Sequence, residues 1–293
     1  MPHVRVVHAT EYHYLNPVRP GAHRLMIRPR DSHDLRLLQT TMSVDPPAQR
    51  TRWAHDVFGN SVCYLDFAPD LATRHLRIVS TLDLRHYPTS TALPLDPMAE
   101  VFPFSYTSDE VPDLARSIER HYRDPDRLID TWSHRFLASG GPTNTTELLS
   151  DMTSSIKAEF AYASRQAEGT NTPLETLGSR SGACRDLALF MVEAVRSLGL
   201  AARFVSGYLY DERLVDSGAP VVGGGATHAW CQVYLPGAGW VEYDPTNGFV
   251  AGRNLIRVCV ARTPEQAVPI SGSYFGQRGD FADMDVNVEV TVG

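Results

Sequence analysis

The chain has 293 residues, 43% hydrophobic and 21% charged, the mix of an ordinary globular protein and not of a disordered, fibrous or coiled-coil one. Its net charge of −7 is uneven, with 11 basic against 10 acidic residues up to position 100 and 16 against 24 beyond it; so acidic a second half argues against nucleic acid as partner. No window approaches roughly 18 consecutive apolar residues, the N-terminus shows no apolar signal core, and four cysteines are too few for a disulfide scaffold; a cytoplasmic protein without membrane contact is expected.

The first 87 residues read as β-structure. His3–Tyr14 alternates, with Val4, Val6 and His8 on one face and Arg5, Val7 and Ala9 on the other. Gly59-Asn60 ahead of Ser61–Phe67 is a hairpin signal. His75–Tyr87 alternates again, with Leu76, Ile78, Ser80, Leu82 and Leu84 in phase. No helical period competes, so an antiparallel sandwich is expected. Pro88, Pro94, Pro97 and Pro103 mark a linker. Helices are predicted over 109–122, 125–138 and 144–157, the last opened by the capping-type run Asn144-Thr145-Thr146-Glu147. Met284–Val292 carries Met and Val at its even positions and reads as a late edge strand. The expected division is 1–104 for a β-rich N-terminal domain with its Pro-rich linker, 105–268 for a helical connector and catalytic core, and 269–293 for the tail.

The chemistry concentrates after residue 180. From Leu187 apolar residues recur at 187, 190, 191, 194, 195 and 198, a helical stripe ended by Gly199. Cys184 therefore sits in the first turn of a buried helix, where unpaired N–H groups and the helix dipole stabilise a thiolate. Its own N–H is a candidate oxyanion donor. A thiolate needs a base, and beyond residue 134 the sole histidine is His228. His228–Leu235 reads as a strand, Pro236–Gly239 as a turn and Trp240–Asp244 as the returning strand, which brings an imidazole and a carboxylate together. Placing His228 and Asp244 face to face puts Trp230 opposite Glu242 and Gln232 opposite Trp240, with a loop at about 234–238. A tight loop over 236–239 would instead turn the two side chains to opposite faces. Cys231 should face away, towards the core.

Gly182-x-Cys184-Arg185-Asp186, Arg203–Tyr208, His228-Ala229-Trp230 and Trp240-x-x-x-Asp244-Pro245-Thr246-Asn247 resemble the bacterial transglutaminase-like family, members of which are described as candidate cysteine proteases. The N-terminal stretch resembles the β-rich region that accompanies that core, through Tyr12-His13-Tyr14, Pro17-Val18, His23-Arg24-Leu25, Arg28-Pro29-Arg30 and Asp56-x-Phe58-Gly59-Asn60. The resemblance implies Cys184 as nucleophile, His228 as general base and acid, and Asp244 as the orienting carboxylate. It does not supply a second oxyanion donor. Tyr162 and Gln166 are candidates, and Trp230 and Trp240 are candidate walls of a substrate site. Asp186 reads as a helix N-terminal carboxylate, and Arg185 as its ion-pair partner or as a ligand for an acidic substrate group.

The expected fold is α+β: a β-sandwich-like N-terminal domain, then a papain-like core in which the Cys184 helix packs on an antiparallel sheet bearing His228 and Asp244. The expected activity is attack on an amide or peptide bond through a thioester, resolved by water in a cysteine protease or amidase. Resolution by an amine, in a true transglutaminase, is the alternative. A non-catalytic binding module of the same fold is the rival from another class. A zinc set of Cys184, His228, Cys231 and Cys259 finds no Cys-x-x-Cys pair, no EF-type loop occurs, and Gly272-Ser273-Tyr274-Phe275-Gly276 misplaces a nucleophile-elbow serine. Gly223-Gly224-Gly225 reads as a flexible loop. No metal or cofactor is expected, and the partner is a protein or peptide substrate.

Overall fold

Alternating apolar residues at the N-terminus build a strand much longer than the sequence indicates. The computed structural model describes residues 2–87, 94–165, 169–210, 227–250 and 254–293. It opens with β1 (His3–Arg28), β2 (Leu35–Asp45), β3 (Arg50–His55), β4 (Ser61–Asp66) and β5 (Thr73–His86). β1 passes straight through Pro17 and Pro20. Both lie at breaks in the ladders, between His13 and Val18 against β5 and between Pro20 and His23 against a later strand, where no backbone donor is needed.

Helices α1 (Glu110–Ile118), α2 (Leu128–His134), α3 (Thr145–Glu159), α4 (Pro173–Ser179) and α5 (Cys184–Ser197) follow. α1 and α2 are shorter than their apolar patterns suggest. After α1 the backbone extends at Glu119, and the N–H groups of His121 and Tyr122 donate to the Glu193 carboxylate on α5. α3 begins as expected, with Asn144 Oδ1 accepting from the Glu147 N–H at 3.0 Å.

A second antiparallel sheet holds β6 (Ala202–Leu209), β7 (His228–Leu235), β8 (Gly239–Asp244), β9 (Phe249–Val250) and β10 (Leu255–Ala261), in the order β9-β8-β7-β6-β10. One face of β7 and β8 presents Cys231, Val233, Leu235, Val241 and Tyr243 to α2, α3 and α5, and these form one core with Trp132, Met152, Phe190 and Met191. Cys231 thus points into the core, as its parity requires.

The chain then returns to the first sheet through β11 (Ile270–Phe275) and β12 (Phe281–Val292). β1 is the axis of that curled seven-stranded sheet. Its first half pairs with β5 and β12, its second half with β4 and β11, and β2 and β3 extend the edges. His3 and Gly293 exchange both backbone hydrogen bonds, at 3.2 and 2.8 Å. The two sheets meet where Val4, Val6, Leu82 and Leu84 pack on Tyr208, Tyr210 and Ile256. Two histidine–tyrosine bonds cross this seam, His8 Nδ1 to Tyr208 Oη at 2.9 Å and His86 Nδ1 to Tyr210 Oη at 2.7 Å.

Candidate active site

α5 starts at Cys184, so the thiol occupies the first helical position, where its backbone N–H has no intrahelical acceptor. Asp186 folds back over this helix start. Its buried carboxylate accepts from the N–H of Ala183 at 2.9 Å, from the N–H of Asn171 at 2.7 Å and from the Arg165 guanidinium at 2.9 Å. Asp186 is therefore a structural clamp, and its ion-pair partner is Arg165 and not Arg185. Arg185 instead donates to the Arg165 carbonyl at 3.2 Å.

His228 and Asp244 are both fully buried, and His228 Nε2 lies 2.8 Å from Asp244 Oδ2. Three more donors hold the carboxylate: the N–H of Thr246 at 2.9 Å, the N–H of Asn247 at 3.3 Å and Asn247 Nδ2 at 2.8 Å. Burial favours the neutral acid, but the imidazolium and these hydrogen bonds win, and Asp244 is held below the usual carboxylate range. Burial likewise opposes charge on His228. The Asp244 carboxylate, and after it the Cys184 thiol, outweigh that penalty and raise the imidazole well above its ordinary value. With Nε2 given to Asp244, Nδ1 is buried and without a hydrogen-bond partner among the described residues. That nitrogen is the one left for the thiol. Asn247 was visible as the end of the Asp-Pro-Thr-Asn run, but only the fold shows that it orients the carboxylate.

The β7–β8 register differs from the expected one. Cys231 lies opposite Tyr243, Gln232 opposite Glu242 and Tyr234 opposite Trp240, leaving Pro236–Ala238 as a three-residue turn. The pairing slips by two residues, which preserves faces, so His228 reaches Asp244 diagonally. Trp230 is not opposite Glu242, but its Nε1–H still reaches Glu242 across the diagonal.

This changes the roles of both tryptophans. Trp230 is fully buried and stacks on His228 with ring centroids 6.0 Å apart. Gly207 makes room for it, since a Cβ there would stand 2.7 Å from the indole. With its sole N–H committed, Trp230 is a support for the imidazole and neither an oxyanion donor nor a cleft wall. Trp240 lies level with Tyr234, six residues beyond His228, or about 20 Å along the strand. There it stacks under Arg203 at 3.9 Å, away from the thiol. Beneath Trp230, Glu242 also accepts from Gln232 at 2.6 Å and Arg257 at 2.7 Å, and Arg257 reaches Asp34, just before β2, at 3.2 Å.

Tyr162 stays at the site. A short parallel bridge pairs Tyr162 with Gly182, two residues before the thiol. Desolvation, and next the neighbouring Cys184 charge, raise the pKa of its phenol, which is 38% exposed. Gln166 and Gly223–Gly225 lie outside the described residues. Cys259 is buried between the two sheets beside Met26.

Two stretches of the chain match known protein families. Residues 4–85 match the bacterial transglutaminase-like N-terminal region, and residues 134–245, which contain Cys184, His228 and Asp244, match the transglutaminase-like superfamily. An uncharacterized protein of Mycobacterium tuberculosis is 28% identical over 98% of this chain and 91% of its own. One from Mycobacterium leprae is 27% identical over 98% of both chains. The crystal structure of a candidate cysteine protease from Cytophaga hutchinsonii superposes with a TM-score of 0.69 at 18% identity, covering 100% of this chain and 91% of its own. That last likeness is one of fold.

Proposed function

Since the chain joins a bacterial transglutaminase-like N-terminal region to a transglutaminase-like core, we propose that it is a cysteine protease or amidase acting through Cys184, His228 and Asp244. The observation that carries this reading is the buried His228–Asp244 pair at 2.8 Å, with Nδ1 of the same ring left for a thiol at a helix N-terminus.

Asp244 keeps Nε2 protonated and stabilises the imidazolium. The Cys184 thiol gives its proton to Nδ1, and the thiolate attacks the amide carbonyl carbon. The Cys184 N–H, with Tyr162 as the candidate second donor, faces the oxyanion that develops. When the tetrahedral intermediate collapses, the C–N bond breaks, Nδ1–H protonates the departing amine, and a thioester remains. Water then attacks the thioester, Nδ1 takes up its proton, and the acid leaves as the thiolate is restored.

Mass spectrometry of the trapped acyl-enzyme tests this directly: the acyl group should sit on Cys184, and an acyl group on any other residue overturns the assignment. Offered a glutamine-containing peptide with millimolar primary amine, the enzyme should release mostly the hydrolysed product. A mainly amide-linked product would instead make it a transglutaminase.

A further inference from the structure

Two residues along β7 from His228, the catalytic sheet carries a second group of polar side chains. Trp230 is fully buried, and its indole lies at 27° to the His228 imidazole with ring centroids 6.0 Å apart. The indole N–H donates to Glu242 Oε2. The other oxygen of that carboxylate accepts from Gln232 Nε2 at 2.6 Å and from Arg257 Nη1 at 2.7 Å. Gln232, fully buried as well, accepts at its own Oε1 from Arg203 Nε at 2.6 Å. The Glu242 side chain is itself only 13% exposed. Burial pushes this carboxyl above its ordinary range, against the pull of Arg257, the indole hydrogen bond and Arg203. Each of the three side chains bonded to it is a donor, so the ionised form is the one its surroundings fit.

Among the described residues, the charged or titratable groups at His228 are Asp244 on β8 and Cys184 on α5. Those around the Trp230–Glu242 bond are Arg257 on β10 and Arg203 on β6, with Asp34 beyond Arg257. The reaction described above uses Asp244 and Cys184 and gives Glu242 no part. A carboxylate on an indole N–H draws positive charge to the edge of the ring and leaves its π face more negative. An imidazolium stacked on that face gains from it, and gains most where water is excluded. Glu242 also offsets Arg203 and Arg257, whose charges oppose an imidazolium in their neighbourhood.

We infer that Glu242 is a positioning residue for His228 and acts on it through the Trp230 indole. It holds the ring that supports the imidazole, and it steadies the positive charge His228 carries while paired with the thiolate and while protonating the leaving amine. The inference rests on the thiol acyl-transfer reading given above. It adds to Asp244 a second carboxylate, one that works through an aromatic face.

The test uses the full chain with Cys184→Ala, so that His228 titrates without the thiol. NMR follows the His228 ring through a pH titration, its signal identified as the one lost in His228→Gln. Glu242→Gln keeps the shape of the side chain and an oxygen for the indole N–H, but not the charge. It should lower the His228 midpoint by about one pH unit. Glutamine fills the same space, so a residue that only packs leaves the midpoint where it was. Trp230→Phe keeps an aromatic face but severs it from Glu242, and it should lower the midpoint too. The Cys184→Ala protein without either substitution gives a further reading: the Trp230 Nε1–H resonance should move with the His228 midpoint. An indole resonance that ignores that titration, or an unmoved or raised midpoint in folded Glu242→Gln, overturns this inference. Iodoacetamide on the parent separates the two readings. If it alkylates Cys184 at neutral pH, the thiol reading stands whichever way the titration falls. A Cys184 that it does not label overturns the thiol reading and this inference with it.

Discussion

Asp244→Asn, made in a Cys184→Ala background, asks whether His228 is a buried imidazolium. The thiol must be removed first. A thiolate–imidazolium pair holds as many protons as a neutral thiol beside a neutral imidazole, so the pH dependence of stability is blind to it. Without the thiol, burial still disfavours charge on the ring, but the Asp244 carboxylate, the leading opposing influence, keeps His228 raised above 6.5. The folded state then binds more protons than the unfolded one. This stabilisation is complete below pH 6.5 and is lost as pH climbs towards the folded value, at about 1.36 kcal/mol per unit. Between the unfolded value of 6.5 and pH 8, about 2 kcal/mol should disappear from the parent. In Asp244→Asn burial acts unopposed, the ring is neutral across the same window, and no such loss follows. Urea unfolding of both proteins should therefore show the substitution costing about 2 kcal/mol more at pH 6 than at pH 8. An equal cost at the two pH values would mean the ring carries no charge, and would refute the reasoning. With Cys184 restored, the same substitution should lower turnover by about 10²–10⁴-fold, the usual span of general acid–base catalysis.

Burial pushes the Cys63 thiol up to about 11, Cys259 up to about 12 and Cys231 higher still. At neutral pH peptide mapping should find alkylation at Cys184 alone, and alanine at the other three should keep turnover while Cys184→Ala abolishes it. Asn60→Ala strands both backbone groups of Val260 and should cost at least about 2 kcal/mol in urea unfolding. Arg196, buried on α5, pairs with Glu193 at 2.9 Å and caps the Ala202 carbonyl at 2.9 Å. Arg196→Met removes this pair and leaves Glu193 with Arg120 at 3.7 Å and the two backbone N–H groups, so it should cost about 3 kcal/mol in urea unfolding, the low end for a broken buried pair.

The residues proposed as a triad stand out because each sits in a local signal: a glycine turn before an apolar helical stripe, a histidine opening a strand, an aspartate before proline. Face parity was legible too, since a side chain's face follows from its position along the strand. Register was not. The turn at Pro236–Ala238 is set by a glycine at positive φ, Gly237, and nothing in the composition chooses three residues over five. That slip separates Trp230 from Trp240, which share a face but serve different places. The length of β1 was hidden because prolines read as breaks unless the ladder around them is known. Asn60 was visible only as part of a motif; its partner Val260 lies 200 positions along the chain, beyond any local periodicity.

β1 is made before the core and completed after it. Its leading half lies between β5 and β12, so the whole catalytic core is synthesised between the strand's first neighbour and its second. Closing β1 against β12 pairs residues almost three hundred positions apart, a contact of very high order. The first sheet therefore reaches its finished form only when β12 has emerged and folded back. Until then Cys184 can exist without the completed first sheet, and a chain broken anywhere between the two sheets' strands loses the second neighbour of β1. The fold thus couples completion of the first sheet to the integrity of the polypeptide between its strands.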